Sequence, residues 1–421
     1  MLRNYLKIVL KTLLHKKFFS ALNLFGISTT VMIIMVAALV FDNHTAPRVP
    51  EVYLDKMLFV ERVKTTHGDD WITLNGVGIK LIDEYLKKIE PRPLMCASTS
   101  EVFELYASGK LQRKKMIHTE PSFWSIYRFT FQEGRPFNVS EFTQHEPVVV
   151  ISRMLRDHFF GNNVALGQTI TIRAKEYRVI GVVDDVPANC SHTYADAWIP
   201  YSAGAFDFQD SGDLDGGFSL DILPVKGQSS ESIKMAMAES IRRLNTELRS
   251  SGKMVIISGP ENSMELFARG YADHTSFGGL TDYLVKWIGA LLLFMLLPSI
   301  NLMSLNITRI RERASEMAVR KAFGASRKRL FGQLLAENVI LTMVGGVIGL
   351  ILSIVVIHVF SYQLLGVEAD QGNVVLGIQV NYYVFGFALI TCLVFGLLSG
   401  VLPALRMSKL NPAEVLKGGS K

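Results

Sequence analysis

The chain has 421 residues, a net charge of +6, a mean hydropathy of +0.26 and only 19% charged residues. An ordinary soluble domain of this length carries more charge and lacks long apolar runs, so the composition excludes a wholly soluble protein. The positive charge is confined to a few short segments. The long block 42–282 holds 26 Lys/Arg against 32 Asp/Glu, which excludes a nucleic-acid partner for that block and points the basic rim at anionic lipid or an acidic protein surface.

Residues 1–17, MLRNYLKIVLKTLLHKK, repeat Leu2, Leu6, Val9, Leu10, Leu13 and Leu14 at helical spacing, with Arg3, Lys7 and Lys11 as a second stripe. This reads as an amphipathic helix lying in the membrane interface, with a plain basic flank as the other reading. An apolar run follows over 18–41. It exceeds the apolar core of a signal peptide, about 7–15 residues, so it is expected to be an uncleaved anchor. Further runs of spanning length occupy 283–308, 331–365 and 379–403, since a bilayer core of about 30 Å needs roughly 20 helical residues.

Lysine and arginine concentrate on the cytoplasmic side of membranes. Residues 1–17 hold five and no acid, 309–330 hold eight with two Glu, and 404–421 hold four with one Glu; the short loop 366–378 carries Glu368 and Asp370 and no base. Both termini, the loop 309–330 and the tail 404–421 are therefore expected on the cytoplasmic face of a bacterial inner membrane. The block 42–282 and the loop 366–378 are expected outside. The expected fold class is an α-helical membrane protein with four transmembrane helices, one plus three, and a large extracytoplasmic α/β domain.

Within that outer block, residues 57–63, 147–152, 168–174 and 176–183 read as strands, the last two as a hairpin around Ala174-Lys175. Helical spacing appears over 78–89, 152–161 and 230–250. The middle, about 119–217, is read as a β-rich insert, and the polar, Gly-rich stretch 206–219 as a mobile loop. Cys96 and Cys190 fall in a compartment that permits a disulfide; the sequence does not say whether they meet.

The spans carry small-residue spacing at Gly345 and Gly349 and again at Gly396 and Gly400. Such spacing lets helix backbones approach, and packing within the bundle is the ordinary reading. No line of ionisable residues runs through the middle of the spans, which argues against an ion-coupled transporter with a midplane site.

Catalytic patterns are missing from the sequence. There is no G-x-x-x-x-G-K-[ST], so the chain is not expected to bind and hydrolyse ATP itself, and there is no H-E-x-x-H or G-x-S-x-G. His67 beside Asp69-Asp70 reads as a solvated loop rather than a metal site. A non-catalytic protein with no cofactor of its own is expected.

The stretch Glu312–Asn338 carries the most information. Glu312, Glu316 and Arg320 follow a favourable helical i,i+4 order, Val319 and Phe323 form an apolar ridge, and Gly324 is placed to end the helix. Arg327, Lys328 and Arg329 then lead through Leu330 and Phe331 into the next span. A basic helix on anionic lipid accounts for the arginines but not for Glu312 and Glu316. Two helical pieces hinged at a glycine look more like a docking element.

The sequence SLNITRIRERASEMAVRKAFGASRKRLFGQLLAEN resembles the cytoplasmic loop of MacB/FtsX-type ABC-transporter permeases. The tail LPALRMSKLNPAEVLKGG (402–419) resembles the end of that family. The outer stretches 121–137 and 148–187 resemble its extracytoplasmic domain. The resemblance implies that two such permeases pair, as identical or related chains, and that each docks a separate cytoplasmic ATPase, which binds the ATP and magnesium. Glu316, Arg320, Lys321, Gly324 and Ala325 are then the dock, and Leu410, Asn411, Pro412, Glu414 and Leu416 a second contact. It further implies that the spans act as levers, passing ATP-driven motion to the outer domain. In MacB itself the ATPase is fused ahead of the first span; it is missing from this sequence. Export of a peptide, antibiotic or similar compound through a periplasmic adaptor and an outer-membrane channel is the expected task. The alternatives are an FtsX-like signalling scaffold that regulates a cell-wall hydrolase, and a lipoprotein-extraction permease.

Overall fold

The computed structural model describes residues 17–67, 71–107, 110–161, 163–204, 214–270 and 327–360, with scattered helical positions between 281 and 293 and between 383 and 394. The chain divides into two compact units: Met1–Asp42 with Val285–Leu364 and Gln379–Lys421, and Asn43–Leu284 with Leu365–Ile378.

In the first unit, helix α1 covers Lys17–Thr45, its last turn belonging to the second unit. Its segment Leu24–Asn43 has a mean hydropathy of 2.5, long and apolar enough to cross a membrane. A second such segment, Val339–Val359 with a mean hydropathy of 2.8, lies in a long helix Arg327–Val359. That helix begins inside the stretch read from sequence as loop 309–330. Arg327, Lys328 and Arg329 are good helix formers with no Gly or Pro before Phe331, so the helix extends back through them. The expected interfacial helix 1–17, apart from Lys17, and most of the runs 283–308 and 379–403 lie outside the described residues.

The second unit is built on a ten-stranded sheet. Its strands are β1 (Leu58–Val60), β4 (Leu94–Ala107), β5 (Lys110–Thr119), β6 (Phe131–Gly134), β7 (Val148–Ser152), β8 (Thr169–Ile172), β9 (Lys175–Val183), β10 (Ala197–Pro200), β12 (Ser219–Leu223) and β14 (Glu261–Asn262). The order is β14-β1-β12-β4-β5-β10-β7-β9-β6, with β8 paired to β9. Pairs β5–β10 and β7–β9 are parallel and the rest antiparallel. A four-stranded sheet joins β11 (Asp215–Gly216), β3 (Trp71–Val77), β2 (Val63–His67) and β13 (Lys253–Ile257) in that order.

Side chains alternate across the ten-stranded sheet and sort into three cores. One face, along much of its length, holds Phe59, Cys96, Ile117, Val150 and Trp198. On the other face, Leu58, Met95, Ala97 and Leu220 form one core, and Phe103, Met116, Ile151 and Val179 another. Strand β7, VVVIS, is buried at every position and is apolar on both sides, as a covered central strand must be. The edge strand β8, TITI, alternates exposed and buried. Helix α2 is a short turn, Ile79–Leu81, continued by a π-helical turn, Ile82–Leu86. Helix α3 (Arg153–Phe160) starts where the Ser152 hydroxyl accepts from the Leu155 amide. Helix α4 (Ser230–Leu248) starts at a Ser229 capping box and buries Ile233, Met237, Ile241 and Leu244, one face of a helix.

Three sequence expectations change. The run 57–63 is not one strand: β1 ends at Val60 and β2 begins at Val63 in the other sheet, so Glu61-Arg62 is a crossover. Strands β6 to β10 lie inside the stretch read as a β-rich insert, about 119–217, and continue the same sheet as the flanking strands. The hairpin turn falls on Arg173-Ala174, one residue early, with Ile172 opposite Lys175. Within the supposed mobile loop 206–219, Asp215–Gly216 is a strand against Gly76–Val77. Its glycine permits close approach, since a β-carbon on Gly216 would lie 3.0 Å from the Gly78 Cα; residues 206–213 lie outside the described set.

Candidate functional site

The structure places Gly345 and Gly349 on the long helix, now α6 (Arg327–Val359), after α5 (Ser263–Gly270). Both face α1. A β-carbon on Gly345 would lie 2.5 Å from the Ile27 Cγ2, and one on Gly349 would lie 2.6 Å from both the Ser28 carbonyl oxygen and the Val31 Cβ. The buried positions Leu341, Gly345, Gly349, Ser353 and Ile357 recur every four residues, a single seam. The opposite face exposes Val347, Ile348, Ile351 and Val355, apolar side chains suited to hydrocarbon rather than water. Lipid offers little hydrophobic drive between helices, so small residues that bring backbones together supply the contact through packing.

Gly396, Gly400, Glu316, Arg320, Lys321, Gly324, Ala325, Leu410, Asn411, Pro412, Glu414 and Leu416 lie outside the described residues. Among the described residues no group of His, Cys, Asp and Glu is arranged to hold a metal ion; Asp69 and Asp70, next to His67, lie outside them.

Sequence reasoning missed the points where the chain enters and leaves the outer domain. On entry, the buried Asn43 Oδ1 accepts from Arg48 Nη1 at 2.9 Å and from Asn189 Nδ2 at 3.1 Å. A few residues on, the buried Glu51 Oε1 accepts from the His192 amide and the Thr193 amide, each at 3.0 Å, and from the Thr193 hydroxyl at 2.9 Å. On exit, Arg269 in α5 is 3% exposed; its Nε donates to Glu261 Oε2 at 2.7 Å and its Nη2 reaches Glu61 Oε2 at 3.2 Å. Burial pushes the Glu261 carboxyl up, and Arg269 opposes that shift. These groups fix the first and last segments of the domain to its loops and first strand. The sequence signal was present but faint: an amide directly after an apolar run, and an arginine with acids four and eight residues before it.

The two cysteines do not bond. Cys190 Sγ points to the Val49 carbonyl at 3.7 Å and Cys96 Sγ to Asp221 Oδ2 at 3.8 Å. Asp221 also accepts from the Tyr127 hydroxyl at 2.9 Å. Burial raises its carboxyl to about 6, against the partial relief of His192 and Tyr127. Burial likewise pushes the Cys96 thiol and Tyr127 phenol well up, so neither is a reactive anion near neutral pH.

Comparison with known proteins matches both halves of the chain. Residues 20–240 match the model of the MacB-like periplasmic core domain, and residues 288–412 that of the FtsX-like permease C-terminal region. An uncharacterized ABC transporter permease of Bacillus subtilis, YknZ, is 24% identical over 79% of this chain and 77% of its own length. The macrolide export ATP-binding/permease protein MacB of Pasteurella multocida is 21% identical over 83% of this chain and 50% of its own. The pyoverdine export ATP-binding/permease protein PvdT of Pseudomonas syringae is 24% identical over 79% and 50%. The chain thus spans about half the length of the MacB and PvdT relatives.

Proposed function

The chain belongs to the ABC-transporter permeases that join a MacB-like periplasmic core domain to an FtsX-like permease region, and from that membership we propose that it is a mechanical transmission subunit of an exporter. A separate cytoplasmic ATPase, with its ATP and magnesium, docks on the loop 309–330 through Glu316, Arg320, Lys321, Gly324 and Ala325. The tail residues Leu410, Asn411, Pro412, Glu414 and Leu416 make the second contact. Four spans, one before and three after the outer domain, sit in a bacterial inner membrane with both termini cytoplasmic. Two permeases pair, and their spans pass the closing of the ATPases to the periplasmic domains, which drive an adaptor and an outer-membrane channel. The cargo of this reading is a peptide, an antibiotic or a similar compound; the names of MacB, a macrolide exporter, and PvdT, a pyoverdine exporter, favour export as the task.

The single observation that carries this reading is the order of the two matches along one chain, with a periplasmic core at 20–240 and a permease region at 288–412. The packed seam of α1 and α6 and the hydrogen-bonded entry and exit of the outer domain support it physically. A lever transmits force only if its helices are stiff against each other and its ends are fixed to what they move.

Purification of the tagged chain in mild detergent, with its neighbouring genes co-expressed, tests the proposal. A small ATPase is expected to co-purify, and its coupled activity to collapse with Arg320→Glu or Gly324→Pro while the chain still folds. If the chain purifies without nucleotide hydrolysis, or both variants keep full coupled activity, the docking role is wrong.

A further inference from the structure

Strands β9 and β10 lie on either side of β7, and the loop 184–196 that joins them crosses from one side of β7 to the other. It forms no helix or strand, yet Val186, Asn189, Cys190, Thr193, Ala195 and Asp196 are buried. A plain connection runs over the surface, because buried irregular backbone needs partners for its polar groups. This loop has them at both ends and in the middle. At its start, Asp184 Oδ1 accepts from Gln132 Nε2 of β6 at 2.6 Å. Asp185 holds the start of α3, its Oδ1 accepting from the Met154 amide at 2.7 Å and its Oδ2 from Arg153 Nη2 at 2.9 Å. At its end, Asp196 Oδ2 accepts from the Lys115 amide of β5 at 3.0 Å, and the Asp196 carbonyl accepts from the Ser152 amide at 2.8 Å. The middle is tied to the segment that leaves α1. Asn189 donates to Asn43, the last residue of the apolar segment Leu24–Asn43, and the His192 and Thr193 amides donate to Glu51. The His192 ring also stacks on Phe59 of β1, with centroids 4.0 Å apart. Phe59 in turn pairs with Glu261, the partner of Arg269 on the exit side.

We infer that the loop 184–196 is the coupling strap of the outer domain, carrying displacement of the segment that leaves α1 to β5, β6 and the start of α3. A strap must be stiff and gripped at each end. The loop contains no glycine, so none of its residues has the free backbone that would let it fold up under load. Its grips on the sheet are carboxylates taking backbone amides and a guanidinium, the stronger class of hydrogen bond. Its grips on the entry segment are buried, where water competes least. A shift of Asn43 or Glu51 therefore moves Asn189 and Thr193 with it. Asp185 and Asp196 then pass that shift to elements that neither Asn43 nor Glu51 hydrogen-bonds. This inference rests on the reading of α1 as a moving span. Its test needs no ATPase, so failure of the docking role and failure of the strap are separate results.

The test is amide hydrogen exchange of the full chain in detergent, read at the Met154 and Lys115 amides, which the two ends of the loop hold. Asn189→Leu removes the bond to Asn43 while keeping the side-chain size. Glu51→Gln is the milder second variant, since a neutral amide oxygen accepts more weakly than a carboxylate. Both substitutions lie in the grips on the entry side, away from the two amides. Each is expected to speed exchange at Met154 and Lys115 by about threefold or more, with the amides of β7 as slow as in the parent. Ile241→Val, a core change in α4 remote from the loop, is the control for general loss of stability. It is expected to leave the two amides within about twofold of the parent. Faster exchange confined to residues 189–193 would show that the loop does not transmit, and would overturn the inference. So would an equal rise at Met154 and Lys115 in Ile241→Val, because the effect would then report stability rather than the strap.

Discussion

Gly349 stands so close to Val31 that a β-carbon on it would lie 2.6 Å from the Val31 Cβ. Two helices separated by about 300 residues in sequence meet there with no room for a methyl group. Gly349→Ala, and more so Gly349→Val, is therefore expected to push α6 off α1 and destabilise the folded chain by about 1–3 kcal/mol. Gly332 is the control on the same helix. It is exposed and a β-carbon there meets nothing within 4 Å among the described residues, so Gly332→Ala is expected to be neutral or slightly stabilising through helix propensity. Size-exclusion profiles of detergent-purified variants after a heating series check both. Equal losses at Gly349 and Gly332 would remove the seam as the explanation.

Arg269 carries the exit end of the outer domain. It is 3% exposed, between the buried Glu261 and the half-exposed Glu61. Arg269→Met leaves the Glu261 charge buried without its partner, which is expected to cost about 3–5 kcal/mol. Adding Glu261→Gln removes the stranded charge and is expected to recover more than half of that loss. Thermal unfolding of the single and double variants reads the coupling directly. A double variant as unstable as Arg269→Met alone would show that packing of the arginine stem, rather than its charge, holds this end.

The sequence pattern made much of this legible, for identifiable reasons. Strand β7 and helix α4 follow simple binary patterns, five buried positions in VVVIS and a 3.6-residue apolar period with a serine cap, so both were read close to their observed bounds. The Gly345 and Gly349 spacing marked a helix contact before any partner was known; the partner, α1, required coordinates because sequence spacing names only one side of a seam. The break between β1 and β2 was hidden, since MLFVERV keeps strand-like residues across a change of sheet. The glycines near 216 were misread because a glycine needed for close backbone approach looks, in sequence, like one needed for a loop. Asn43, Glu51 and Asn189 were missed because their partners lie about 140 residues away and no local period reports such contacts.

The hairpin between β8 and β9 turns on two residues with positive φ, Arg173 at 49° and Ala174 at 62°. Both lie in the left-handed region, where an L-residue with a β-carbon is disfavoured by about 1–2 kcal/mol. Arg173 has compensation, since its guanidinium donates to Glu101 Oε2 at 2.6 Å and to the Val102 carbonyl at 2.7 Å. No side-chain bond of that kind is available to an alanine. Ala174→Gly is expected to stabilise the outer domain by up to about 1 kcal/mol, the relief of the left-handed cost exceeding the added unfolded-state entropy of glycine. Arg173→Gly, which gains the same freedom but loses both bonds, is expected to be neutral or destabilising. Unfolding midpoints followed by tryptophan fluorescence compare the two, and stabilisation by both variants to the same extent would show that the Arg173 bonds contribute nothing.

Asp221 gives the outer domain a defined pH response. Its ordinary value is 3.8, and burial raises it to about 6 in the folded protein. Its Oδ1 is buried with no hydrogen-bond partner among the described residues, while Oδ2 takes the Tyr127 hydroxyl at 2.9 Å. Below about pH 4 the folded and unfolded chains both hold the proton, and the group makes no difference. Between about pH 4 and pH 6 the folded protein keeps a proton that the unfolded chain has released, so stability falls as pH rises, by on the order of 3 kcal/mol across that window. Above about pH 6 the contribution is flat. Asp221→Asn cannot ionise and still offers an amide oxygen to Tyr127. It is expected to match the parent near pH 4 and to be more stable at pH 7.5 by on the order of 1–3 kcal/mol, less than the full linkage because the amide hydrogens enter a site built around a carboxyl. Melting the two proteins side by side across this range isolates the group, because every other titration is common to both. A difference that stays constant with pH would mean that the Asp221 proton does not change on folding and that its burial is compensated by the polar groups around it.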